Sequence, residues 1–120
     1  MSRIVQAANA MISNPDGITR VIRGESEYFF LYRDKYKWSI RKDNEGAHTL
    51  WFYPGDESLE VLASYSADDW EHIDMVVYRD AEIGTKEARA TFAELYNLVR
   101  ERLFNVNKAL DDIIADADRS

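Results

Sequence analysis

EYFFLYRDKYKWSIRKDNEGAHTLWFYP, residues 27–54, decides the fold. Aromatic and β-branched residues are dense in it, and the polar clusters that interrupt it, Asp34-Lys35 and Asp43-Asn44-Glu45-Gly46, have turn chemistry. Such runs joined by such short breaks read as neighbouring antiparallel strands. Extending the same reading in both directions gives six strands, at 18–23, 27–33, 36–42, 47–53, 59–65 and 72–79, arranged as a meander. Ser66 with an acid three residues on allows at most one helical turn in the link before the last strand.

On either side of the meander the period changes. Ile4, Val5, Ala8, Met11 and Ile12 are spaced as one face of a short helix, which Asn14-Pro15-Asp16-Gly17 stops. Beyond Gly84, Thr85 can cap a long helix whose apolar positions are Phe92, Tyr96, Val99, Leu103, Val106, Leu110 and Ile113. The expected fold is therefore α+β in one domain over residues 1–120: an N-terminal helix, a six-stranded antiparallel meander and a long C-terminal helix, both helices on one sheet face. The other face is expected to be open. The predicted core is Ile4, Ala8, Met11, Ile12, Phe30, Trp38, Ile40, Leu50, Val61, Met75, Val77, Phe92, Leu95, Val99 and Leu103.

The long helix does not fit its domain. Unbroken from 85 to 117 it would measure about 50 Å, against a diameter of about 35 Å for a compact chain of this length. Either it bends at Asn105-Val106-Asn107, where poor helix formers flank a β-branched residue, or its last turns overhang the sheet. An overhang would expose Leu103, Val106, Leu110, Ile113 and Ile114 as a homodimer interface. Acids at Asp111, Asp112, Asp116 and Asp118 oppose the helix dipole, so fraying is expected after about residue 115.

Composition excludes several classes of function. Fifteen Trp, Tyr and Phe residues suffice for a core, so a disordered chain is not expected. The chain has no cysteine, which removes disulfides, thiolate nucleophiles and Cys-ligated metals together and suits a reducing cytoplasmic setting. The opening segment has helical spacing and not the unbroken apolar core of a signal peptide, and no apolar run reaches the roughly 20 residues that span a bilayer. The net charge of −7 is divided unevenly: residues 1–42 carry eight Lys/Arg against four Asp/Glu, and the remainder seven against eighteen. An acidic protein repels phosphate backbones and anionic membranes unless its cations gather on one face.

Strand alternation offers such a face. Lys37, Ser39 and Arg41 alternate away from Tyr36, Trp38 and Ile40; with Arg33, and with Trp51 and Tyr53 from the next strand, they would form a basic and aromatic surface able to bind single-stranded nucleic acid. A one-residue slip would send Trp51 and Tyr53 into the core and expose His48 instead. A second cluster, Asp68, Asp69, Glu71, His72 and Asp74, lacks the spacing of a known metal loop or a second histidine. There is no nucleophile elbow, and the five glycines stand singly at turns. No catalytic residue, metal or cofactor is expected. The sequence thus points to a non-enzymatic protein-interaction protein that self-associates through its C-terminal helix, with sequence-tolerant single-stranded nucleic-acid binding as the alternative.

Overall fold

The computed structural model describes residues 2–118, and within them all side chains but those of Val106 and Asn107. Helix α1 (Arg3–Ser13) starts where the Ser2 hydroxyl accepts the Val5 N–H at 3.3 Å and ends at Asn14, whose side-chain amide donates to the Ala10 carbonyl at 3.0 Å. A 3-10 turn over Pro15–Gly17 leads into the sheet. Its five strands are β1 (Ile18–Arg23), β2 (Tyr28–Tyr32), β3 (Tyr36–Lys42), β4 (His48–Tyr53) and β5 (Val76–Arg79), ordered 1-2-3-4-5 with every neighbouring pair antiparallel.

The expected strand at 59–65 is instead a helix, α2 (Leu59–Ala63), so the sheet has five strands and not six. The residues alternate as a strand would, but Ser58 caps the segment through the Val61 N–H at 3.2 Å, and the helical spacing of Leu59 and Leu62 buries both. Val61, expected in the core, is turned outward and 42% exposed. After α2 a 3-10 segment runs over Ala67–His72, opened by Ser66, whose N–H and hydroxyl both donate to the Asp69 carboxylate at 2.9 and 3.1 Å. The last strand accordingly begins at Val76 and not at 72.

Helix α3 (Asp80–Ile83) is one turn long and closes on Gly84, which takes the left-handed conformation at φ +78°. Helix α4 (Lys86–Phe104) is capped by Thr85, whose hydroxyl accepts the Ala88 N–H at 3.0 Å. It lies with α1 on one face of the sheet. There Ile4, Val5, Ala8 and Met11 meet Phe30, Ile40, Leu50, Phe92, Leu95 and Val99, and the Thr91 hydroxyl donates to Asn9 across the two helices at 3.1 Å.

The opposite face is not open. Residues 59–75 fold across it, and Phe29, Tyr53, Leu59 and Leu62 form a second buried cluster, flanked by Trp51, Trp70, Ile73 and Met75. Covering a strand-rich surface this apolar removes it from water, which the single helical layer on the other side could not do. Arg20 pairs with Glu60 and so fastens the cover to the outer strand.

The C-terminal helix is broken where its length required. Asn105 adopts the left-handed conformation at φ +54°, ends α4, and is followed by α5 (Val106–Asp118), which remains helical through its acidic end. Asparagine is among the few residues that tolerate this backbone. The radius of gyration of 15.7 Å and the long dimension of 56 Å exceed the roughly 13.6 Å and 35 Å of a compact chain of this length. The excess is the length of α5, which stands away from the body with its described side chains exposed throughout.

Candidate functional site

The sheet register joins Lys37 to Tyr53, Ser39 to Trp51 and Arg41 to Thr49, so the cationic alternates of β3 and the aromatic alternates of β4 do share a face. Once that face is covered, each of the five expected ligand-binding residues is in a different situation. Lys37 reaches under the strand end, and its ammonium donates to the Gly55 and Glu57 carbonyls, so it holds the link between β4 and α2. Arg33 does not join the face. It occupies the β2–β3 turn at φ +55°, beside Asp34 at φ +56°, and its guanidinium lies 5.6 Å from the Tyr32 ring. The two consecutive left-handed residues make the tight hairpin that fits the twist of the strands.

Tyr53 is buried, and its hydroxyl is 2.7 Å from the Ser39 hydroxyl. Burial raises its ionisation well above the ordinary phenol range, because a phenolate there would lose its hydration; the charge of Glu27 adds to the effect, and the Ser39 bond opposes it. Trp51 is half-buried and carries the Arg41 guanidinium over its ring at 5.6 Å. Arg41, Trp51 and Tyr53 meet Tyr65, Trp70 and Met75 of the covering segment in a cleft of about 290 Å³, with Glu25 and Glu27 of the β1–β2 turn at its rim.

The residues expected at a dimer interface lie on and just before α5. Leu103 is half-buried on α4; Leu110, Ile113 and Ile114 are 51%, 64% and 60% exposed on α5; Val106 lies outside the described side chains. Phe104, not anticipated from the spacing, is exposed beside the break.

No protein-family model matches the chain, and no curated protein or solved structure matches it either. Function must therefore be argued from these surfaces themselves.

The acidic cluster does not assemble. Asp68, Asp69, Glu71, His72 and Asp74 are all exposed along the covering segment, and among the described residues no three His, Asp or Glu side chains come together in a way that could hold a metal. The histidine with a partner is His48. Its Nδ1 is 3.4 Å from the Asp80 carboxylate, both groups are buried, and the Tyr96 ring stands 5.4 Å away. The second Asp80 oxygen is buried with no hydrogen-bond partner. Thirty-two residues separate the pair, and neither position carries a local signal of the other. His48 is 5% and Asp80 2% exposed, between the end of the sheet, the start of α3 and the Tyr96 ring of α4.

Proposed function

We propose that this chain is a non-enzymatic interaction protein that pairs with a second copy of itself through α5. The observation that carries the reading is the helix itself: Leu110, Ile113 and Ile114 stand exposed with no covering surface among the described residues, set off from the body by the left-handed residue at Asn105. A helix this short is marginal in water, since most helical stability in proteins comes from packing of an amphipathic face. Its apolar face is suited to being packed against something.

The charge pattern favours a second copy as the occupant. Along α5, Val106, Leu110, Ile113 and Ala117 are spaced four, three and four apart, the seam of a helix pair. Lys108, Asp111, Asp112 and Asp118 all fall away from that seam, and of the positions that flank it only Asp116 is charged; Asn107, Ala109 and Ile114 are not. Two such helices can therefore approach without setting like charges face to face. Nucleic-acid binding on the sheet loses its support, because Tyr53 is buried, Lys37 is engaged and Arg33 is elsewhere.

Leu110, Ile113 and Ile114 are each half to two-thirds exposed, so covering one yields about 1–1.5 kcal/mol and six across a dimer about 6–9 kcal/mol. Association costs at least about 4 kcal/mol of that, which leaves at most about 2–5 kcal/mol; with Phe104, 53% exposed, covered in both copies as well, the pair dissociates at roughly millimolar concentration or below. The test is solution mass by light scattering from about 10 μM to 2 mM, a range set by that affinity. The intact chain should rise toward the dimer mass while Leu110→Asp with Ile113→Asp, both on an exposed helix, stays monomeric. An intact chain that remains monomeric at the highest concentration ends the proposal.

A further inference from the structure

The cleft beneath the covering segment has walls of an unusual kind. Trp70 stacks parallel to Phe29 at 6.0 Å and meets Tyr65 edge-on at 84° and 5.3 Å, while Tyr53 closes the floor 5.8 Å from Trp70. Trp51 of β4 lines the same cleft. Aromatic rings present negative faces. The chain already places a cation on one of them, since the Arg41 guanidinium lies over Trp51.

The rim adds charge of the same sense. Glu25 and Glu27 reach the mouth from the β1–β2 turn, and the Ser26 hydroxyl donates to Glu27 at 2.8 Å, so two carboxylates stand against the single guanidinium of Arg41. An anionic ligand would meet both carboxylates, and a phosphate chain would be repelled at the entrance. A bare ammonium holds its water too strongly to exchange it for aromatic contact. A methylated ammonium is weakly hydrated, keeps its full charge and gains from both the rings and the acids. The volume of about 290 Å³ lies at the lower end of small-molecule sites and fits a headgroup and not an extended ligand.

We infer that this cleft binds a small alkylated ammonium group, of the trimethylammonium kind, against Trp51, Tyr65 and Trp70. Arg41 is then a resident competitor, which the ligand displaces from the Trp51 ring. The site lies on the opposite side of the sheet from the α4 surface and does not depend on self-association through α5.

The test is an NMR titration of the three tryptophan indole N–H signals in the full chain, with choline, with a short peptide carrying one trimethyl-lysine, and with 3,3-dimethylbutan-1-ol, the uncharged counterpart of choline. Ionic strength is held with sodium chloride. Trp38 lies on the helix-covered face and is an internal control. Trp51 and Trp70 should shift saturably with choline or the peptide while Trp38 stays still, and whichever of the two binds more tightly identifies a free headgroup or a modified protein as the source. The uncharged alcohol should bind at least about tenfold more weakly, the ratio expected when the charge contributes through the rings.

Arg41→Ala should tighten choline binding about threefold or more by freeing the ring, and Glu25→Gln should weaken it; both positions are exposed, so neither change threatens the fold. Binding of the alcohol as tight as that of choline, equal shifts with sodium chloride alone, or weaker binding in Arg41→Ala would overturn the inference.

Discussion

Leu62→Ala tests whether residues 59–75 truly seal the second sheet face. Leu62 is fully buried between Phe29, Tyr53 and Leu59. Removing three carbons costs about 2.4 kcal/mol at roughly 0.8 kcal/mol per carbon, before any cavity is counted. The cavity adds less here than in the α1–α4 core, because Ala63, Tyr65, Trp70 and Met75 around it are only partly buried and can settle inward. The expected loss is about 2.5–3.5 kcal/mol, against about 3.5–5 kcal/mol for Leu95→Ala, where Phe92, Val99 and Ile40 are held from two sides. With an unfolding entropy of roughly 0.25 kcal/mol per degree for 120 residues, Leu62→Ala should lower Tm by about 10–14 °C. Urea unfolding followed by tryptophan fluorescence measures the loss directly. A cost below about 1 kcal/mol would be that of a solvent-facing leucine; it would refute the covered face, and an open basic and aromatic sheet would return as a candidate ligand surface.

Tyr53 makes stability fall with alkali. Its folded ionisation lies above the ordinary phenol value, so from about pH 10 upward the unfolded chain releases a proton that the folded chain keeps, and stability drops by up to about 1.4 kcal/mol per pH unit. Tyr96, raised by burial and then by the neighbouring Tyr28, adds to the slope. Tyr53→Phe should flatten the dependence above pH 10 while costing about 1–3 kcal/mol at neutral pH, because the buried Ser39 hydroxyl loses its partner; equal slopes in the two proteins would count against the assignment. Asp80→Ala should destabilise by about 1–3 kcal/mol by removing the buried hydrogen-bond partner of His48. The double variant His48→Phe with Asp80→Ala, compared by chemical denaturation, should cost clearly less than the two single changes together; simple additivity would mean that the pair is not coupled.

The hairpins from Ile18 to Tyr53 could be read from the sequence because dense aromatic and β-branched runs are punctuated by turn residues, even though β2 buries the consecutive Phe29 and Phe30 and β1 shifts register between Ile18 and Arg20. Alternation alone leaves the pairing of β3 with β4 open to a one-residue slip, and it is the folded register that sets Lys37, Ser39 and Arg41 on the face of Trp51 and Tyr53. The cover was misread because Leu59, Val61, Ala63 and Tyr65 alternate like a strand. The deciding feature, Ser58 as a cap with Leu59 and Leu62 one helical turn apart, needs a surface to receive those two leucines, and only the folded sheet supplies it. That error left the face open and made its cations seem available. The break at Asn105-Val106-Asn107 was legible as a conflict between helix length and domain diameter, although sequence could not choose between a bend and an overhang. The structure has both. The His48–Asp80 pair and the cleft at Trp70 were not legible, because each unites residues from distant segments whose approach depends on the fold.

Asn105 also makes α5 a lever. The thirteen residues beyond it extend about 20 Å, and a change of 20° at a single backbone dihedral, within the ordinary scatter of real chains, swings the far end by about 7 Å. Two bodies joined through such arms would be tied firmly at the contact and loosely in their mutual angle. The spacing between them would be fixed by helix length, and their orientation would be left to whatever else each body touches.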